Sequence, residues 1–400
     1  MNRNTETPGG FIPFARPSIG NDEIEEVAKV LRSGWLTTGN VTLAFEKAFA
    51  GQVNADYALA LNSATSGLHL ALLCLKIPEN SFVITTPYTF TATAEVIRYM
   101  NAHPLFVDTE EDSFNIDPHK IEEAFSRYGK KISAVLPVHV AGEPCSMGKI
   151  LNSAGQYGVP VIEDAAHAFP VKTSLGFAGA IGTAGVYSFY ATKTITTGEG
   201  GMLVTNDKEL AQRAMKLRLH GIDRTVWDRY KTSKKNSWEY DVIAPGYKYN
   251  LTDIAAAIGT IQLKKTHDLW EKRKKIARTY IRELGDCSFL KLPSYTENHA
   301  WHLFITKIKE GVLGITRDEY VNLLIDRGIG ISVHYKPLHL MSYFKEKYHF
   351  KPADFPNALL HYTSAFSLPI YPDLTEGQIQ YIIETVKRIG EQYRKKFHGS

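Results

Sequence analysis

Between residues 57 and 205, short β-branched or apolar runs alternate with segments of helical periodicity. The strand-like runs are Tyr57–Asn62, Phe82–Thr86, Pro104–Asp108, Ile132–Val138, Pro160–Asp164, Gly185–Tyr190 and Gly201–Thr205. Helical spacing occupies Thr65–Leu75, Thr91–Met100, Pro118–Tyr128 and Ser146–Tyr157 between most of them. Strands joined through helices pair in parallel, and the helices cover both faces of the sheet. The pattern therefore predicts an α/β fold around a mostly parallel sheet. Ligands of such sheets bind beyond the C-terminal strand ends. Ser63, Thr65, Asp164 and Lys193 all fall there.

Past residue 260 the pattern changes. Leu263, Leu269, Trp270, Ala277, Tyr280, Ile281 and Leu284 recur at roughly helical spacing among lysines and arginines. This predicts one long amphipathic helix near 260–284 with a solvated basic face. Trp301–Ile308 and Gly330–His334 read as strands, and Arg317–Arg327 as a helix. A turn-rich stretch with Pro352, Pro356, Pro369 and Pro372 leads to a final helix over Thr375–Tyr393. The expected division is an extended arm over 1–20, a large domain over 21–262, and a bridging helix with a smaller α+β domain over 263–400.

Composition narrows the function. A formal charge of +4 over 400 residues is small and argues against a nucleic-acid binder. Met1–Gly10 lacks the apolar stretch of a signal peptide, and the run Leu68–Ile77, broken by His69 and Lys76, is too short to span a bilayer. Cys74, Cys145 and Cys287 lie far apart without CxxC spacing, which argues against a disulfide scaffold or a zinc site and suits a reducing cytoplasm. His334 and His339 stand in a proline-containing loop without a third ligand nearby, so no metal site is expected. His299 and His302 read as structural.

Three segments carry candidate chemistry. YSFYATKTITTGEGG (187–201) sets Lys193 just past an apolar strand, in a loop whose glycines permit tight turns. VIEDAAHA (161–168) ends a buried strand on Glu163 and Asp164. A carboxylate there either caps the next helix or faces a positive partner. NSATSGLHLAL (62–72) joins a strand end to a helix start, where Ser63 and Thr65 either cap the helix or help its N-terminus hold an anion.

Long stretches then resemble the DegT-type sugar aminotransferases. These are SGWLTTG (33–39), TTPYTFTAT (85–93), VHVAG (138–142), VIEDAAHA, SFYATKTITTGEGGMLVTND (188–207), PGYKYNLTDIAAAIG (245–259), HAWHLF (299–304) and SLPIYPDLT (367–375). Together with RGIGISVHYKPLH (327–339), several of them are most similar to the branch that aminates a UDP-linked 4-keto pentose.

The resemblance implies an aspartate-aminotransferase-like (fold type I) architecture with a seven-stranded sheet, and pyridoxal 5′-phosphate (PLP) as cofactor. It makes Lys193 the covalent anchor and then the general acid–base. Asp164 becomes the partner of the pyridine nitrogen. His167, where relatives commonly carry Gln, would bond the ring oxygen or lie against the ring, and Phe90, or less favourably Tyr88, would stack on it. Ser63, Ala64, Thr65 and Ser188 would hold the phosphate. Asn250 would reach it from the partner subunit of a homodimer with a shared active site.

The implied reaction takes an amino group from L-glutamate, releases 2-oxoglutarate, and aminates a nucleotide-linked keto sugar, a UDP-4-keto sugar being favoured. Amination at C3, or of a dTDP- or GDP-linked 6-deoxy sugar, is the alternative within the family. Arg229, Lys248, His334, Tyr335 and His339 are the candidate contacts to the sugar nucleotide. The chain departs from relatives in FPVKTSLGFAGAIGTAG (169–185), where a more basic loop is common, and at Thr194, often Asn. Lys193 argues against the dehydratases that carry histidine there. The reading from another class is a non-catalytic binding protein on the same fold.

Overall fold

The computed structural model describes residues 10–223 and 239–397. Two helices, Asn21–Ser33 and Asn40–Val53, precede the sheet. Its strands in chain order are β1 (Tyr57–Leu61), β2 (Phe82–Thr85), β3 (His103–Phe106), β4 (Ile132–Val135) and β5 (Ile162–Asp164). A small hairpin, β6 (Lys172–Thr173) and β7 (Gly176–Phe177), stands apart, and β8 (Ala184–Ser188) and β9 (Gly201–Thr205) complete the sheet.

Hydrogen-bonded neighbours run β1-β9-β8-β5 on one side and β3-β2-β4 on the other. Parallel bridges Val135–Val161 and Val138–Asp164 join β4 to β5, giving seven strands in the order 3-2-4-5-8-9-1. Only β9 runs against its neighbours. The reason is local: no helix crosses over between β8 and β9, and the returning loop 189–200 carries Lys193. The expected helices appear as Ala64–Cys74, Ala92–Tyr99, Pro118–Tyr128 and Met147–Gln156. Ser63 and Asp117 cap two of them through their side chains.

Three expectations for the second half need correction. The long basic helix is two helices, Asp253–Lys264 and Thr266–Leu284, and its basic face is not wholly solvated. Arg273 and Lys274 are buried, Arg273 against main-chain carbonyls and Lys274 between Glu271 and Glu297. Gly330–His334 is not a strand. Ile12 of the N-terminal arm takes the polar groups of Gly328 and Gly330, and Ser332 alone bridges to Ser367. Prolines that read as turns instead start short helices, as in Pro356–Ser364, because a first-turn proline costs no hydrogen bond.

The remaining strands, β10 (Leu290–Lys291), β11 (Phe304–Ile308) and β12 (Ala365–Leu368), form an antiparallel sheet. It shares a core with Tyr280 and Leu284 of the long helix, Ile382 and Val386 of the last helix (Glu376–Phe397), and Ile12. A separate cluster, including Tyr88, Phe106, Leu338 and Phe355, packs residues 338–358 against the large sheet. No helix among the described residues is long and apolar enough to cross a membrane.

Candidate active site

The C-terminal ends of β1, β5 and β8 open onto a cavity of about 590 Å³. Ser63, Ala64, Thr65, Phe90, Asp164, His167, Ser188, Lys193, His334 and Tyr335 all line it, as sequence order alone could not guarantee. The floor depends on glycine. A Cβ on Gly201 would come within 2.5 Å of the Ser63 carbonyl carbon, so β9 lies directly against the turn that starts the 64–74 helix. Ser63 Oγ accepts from Ser66 N at 3.1 Å, which makes it an N-cap as well as a wall residue.

Asp164 is buried at the end of β5, where Thr93 Oγ1 donates to Oδ2 (2.9 Å) and Ala166 N to Oδ1 (3.2 Å). Burial raises its pKa above the ordinary carboxylate value, against those two bonds and the nearby Lys193 amine. Such a carboxylate retains unused acceptor capacity and favours a cationic neighbour. Lys193 answers the complementary need. Burial lowers its amine to about 7, with Asp164 opposing and Arg273 adding to the shift. A neutral, nucleophilic fraction is therefore available near neutral pH.

His167 is held in one tautomer. Ala141 N donates to Nδ1 (3.2 Å), so Nε2 carries the hydrogen, 3.0 Å from the Tyr335 hydroxyl. Burial keeps the ring neutral, its pKa well below the usual imidazole value. His334 joins through Nδ1 to Ser367 Oγ (2.9 Å) and is likewise lowered by burial, to about 4.

Four expected contacts are not on this cavity. Tyr88 is fully buried behind the wall; its hydroxyl donates to the His334 carbonyl at 2.5 Å and its ring stacks on Phe114. His339 is buried against Phe355. Lys248 is exposed and its Nζ bonds Asn250 Oδ1, while Asn250 Nδ2 donates to Thr38 Oγ1 at 2.7 Å. Arg229 lies outside the described residues. Conversely, the wall includes Phe14, Thr93 and His302, none of them read from the sequence as a site residue. His302 reads as structural within HAWHLF because periodicity cannot show which face of an irregular segment meets a cavity.

Residues 17–387 match the DegT/DnrJ/EryC1/StrS aminotransferase family. The chain belongs to that family. It is 42% identical over 382 residues to the spore coat polysaccharide biosynthesis protein SpsC of Bacillus subtilis, covering 95% of this chain and 97% of that protein. Among solved structures, the sugar aminotransferase Spr1654 of Streptococcus pneumoniae in its pyridoxamine-phosphate (PMP) form superposes with a TM-score of 0.88 at 30% identity, covering 96% of this chain and all of that one. Helicobacter pylori PseC, an aminotransferase of pseudoaminic acid biosynthesis, gives 0.87 at 28%, with 96% and 100% covered.

This DegT-family chain is thus a PLP-dependent sugar aminotransferase. Its donor set suits the cofactor: a helix N-terminus with hydroxyls for a phosphate, a buried carboxylate for a pyridinium, a lowered lysine for an aldehyde, and Phe90 and His167 for a ring.

Proposed function

We propose that this enzyme moves an amino group from L-glutamate to a nucleotide-linked keto sugar, a UDP-4-keto sugar being the favoured acceptor, to make an amino sugar for an envelope or coat polysaccharide. The observation that carries the reading is the pairing of Lys193 and Asp164 on one cavity. The amine is lowered to about 7 and the carboxylate is buried with only two donors. A binding protein has no need of a lysine brought to that value. The names of SpsC and PseC support a sugar acceptor and a polysaccharide or glycan destination.

Ser63, Ala64, Thr65 and Ser188 hold the cofactor's phosphate, Asp164 its pyridine nitrogen, and Phe90 and His167 its ring. PLP supplies an electron sink that stabilises negative charge on the carbon bearing the nitrogen. The protein does the rest. Lys193 Nζ would take the proton from the amino-bearing carbon of the donor as a base and, as an acid, deliver it to the cofactor's aldehyde-derived carbon, both within reach of its value near 7. Asp164, a buried carboxylate with only two donors of its own, would keep the pyridine nitrogen protonated. His167 offers its Nε2 hydrogen to an oxygen, in competition with Tyr335.

His334 and Tyr335 line the cavity, which supports them as contacts to the sugar nucleotide. Lys248 and Asn250 lie off the cavity of their own chain, an arrangement that supports a homodimer in which each subunit completes the other's site. A cytoplasmic location follows from the need for glutamate and sugar nucleotides. Incubation with L-glutamate and matched UDP-, dTDP- and GDP-linked 4-keto sugars, read by mass spectrometry, tests the proposal. Amination of the UDP sugar at tenfold or greater preference is expected; amination of none, with active cofactor exchange, contradicts the acceptor class.

A further inference from the structure

Lys193 is also held from a side that the cofactor contacts do not use. Its Nζ lies 3.4 Å from Nε2 of His302, in the irregular segment before β11. His302 is buried, its ring centroid is 4.3 Å from that of His167, and its Nδ1 has no hydrogen-bond partner among the described residues. Its main chain is pinned on both sides. The His302 N–H donates to Ala141 O (3.1 Å), and its carbonyl accepts from Arg273 Nη1 (3.3 Å). The same guanidinium reaches Thr192 O through Nη2 (3.4 Å), one residue before Lys193, and Ile370 O through Nη1 (2.7 Å). One buried cation therefore ties together the two main-chain segments that carry the facing nitrogens.

Of the two ring nitrogens, Nε2 is the one that meets a protein group, the Lys193 amine. Burial, with Lys193, His167, Arg273 and His334 nearby, keeps the ring neutral. A neutral ring with one engaged nitrogen is a fixed hydrogen-bonding arm. The other groups around Lys193 are Asp164 on β5, His167 after it, and His334 and Tyr335 from the C-terminal half.

We infer that His302, set in place by Arg273, is a positioning residue for Lys193: its Nε2 engages the amine and aims it into the cavity. The inference rests on Lys193 being the amine that takes the cofactor. A lysine on a four-carbon stem otherwise samples many orientations, and misplacement by about 1 Å can cost on the order of 100-fold in a reaction that depends on alignment.

The test follows the appearance of the visible band when PLP is added to cofactor-free protein, as a function of pH. His302→Phe keeps an aromatic ring and loses both ring nitrogens; capture should slow about tenfold and its pH midpoint should move. His302→Gln places an amide where Nε2 stands and should recover capture to within about threefold. Wild-type rate and midpoint in His302→Phe overturn the inference, as does equal impairment in both variants.

If the Phe variant does not fold, histidine ¹⁵N resonances of the unmutated, cofactor-free protein read the same contact. The His302 Nε2 signal should shift as Lys193 titrates and should not shift in Lys193→Ala; an Nε2 indifferent to that titration overturns the inference. Lys193→Ala also separates the two ideas. Borohydride should fix PLP covalently to the wild type and not to Lys193→Ala; fixation in that variant contradicts Lys193 as the anchor, whereas its absence beside an unaffected His302→Phe removes only the role of His302.

Discussion

Glu163 and Asp164 are neighbours on β5 and, by the alternation of a strand, project to opposite faces of the sheet. Both are buried. Glu163 is saturated: Oε1 accepts from Ile181 N and Gly182 N (both 2.7 Å), and Oε2 from Gly179 N (2.9 Å), with His139 Nε2 also at 2.9 Å. Asp164 has one side-chain and one main-chain donor and opens onto the cavity. One carboxylate is taken up in organising the loop 176–182, and the other keeps acceptor capacity on the cavity. Burial alone therefore says little about function; the number of donors already in place says more.

Substitutions that remove charge from each side sharpen this contrast. Asp164→Asn should fold and bind PLP yet lose turnover by about 100-fold or more, since the ring nitrogen loses its anionic partner. Single-turnover kinetics on the loaded variant check this, and near-normal turnover would remove Asp164 from its role. Glu163→Gln should do the reverse. Its amide hydrogens would face N–H donors, costing on the order of 3 kcal/mol of stability, while turnover at low temperature falls only a few-fold. Thermal melting and kinetics on the same sample separate the two effects; equal loss of activity in both variants would erase the distinction.

A pH series probes the Asp164 face without mutation. Lys193 is held near 7 in the folded chain against an ordinary 10.5, so its neutral form prevails from about pH 7 upward. PLP capture by cofactor-free protein should rise through about pH 7 and then level off. A rise that begins only above pH 9 would mean the amine is not desolvated as described. The smallest expected effect belongs to Tyr335→Phe, which removes the phenol from His167 Nε2 but leaves Ala141 holding the other nitrogen. A two- to five-fold change in glutamate turnover is expected, and a hundred-fold loss would promote Tyr335 to a direct chemical role.

The same contrast shows what a sequence exposes. Strand–helix alternation made the sheet legible, because burial on both faces leaves apolar runs of characteristic length, and all seven runs appear as sheet strands. Residues at strand ends, from Ser63 to Lys193, were legible because topology sends strand ends to one edge. The wall formed by His302, His334 and Tyr335 was harder. It comes from irregular chain with no period to read, so Tyr335 enters only through the resemblance and His302 reads as structural. Arg273 was hidden for a different reason: within a run of lysines and arginines, nothing local marks the one whose guanidinium is turned inward.

The most direct test of the central claim is the absorption spectrum of the purified, PLP-supplied protein before and after excess L-glutamate. A visible band that gives way to the shorter-wavelength band of the PMP form is the predicted result. A visible band that ignores glutamate would contradict the proposed donor, and no visible band at all would contradict Lys193 and Asp164 as a working cofactor site.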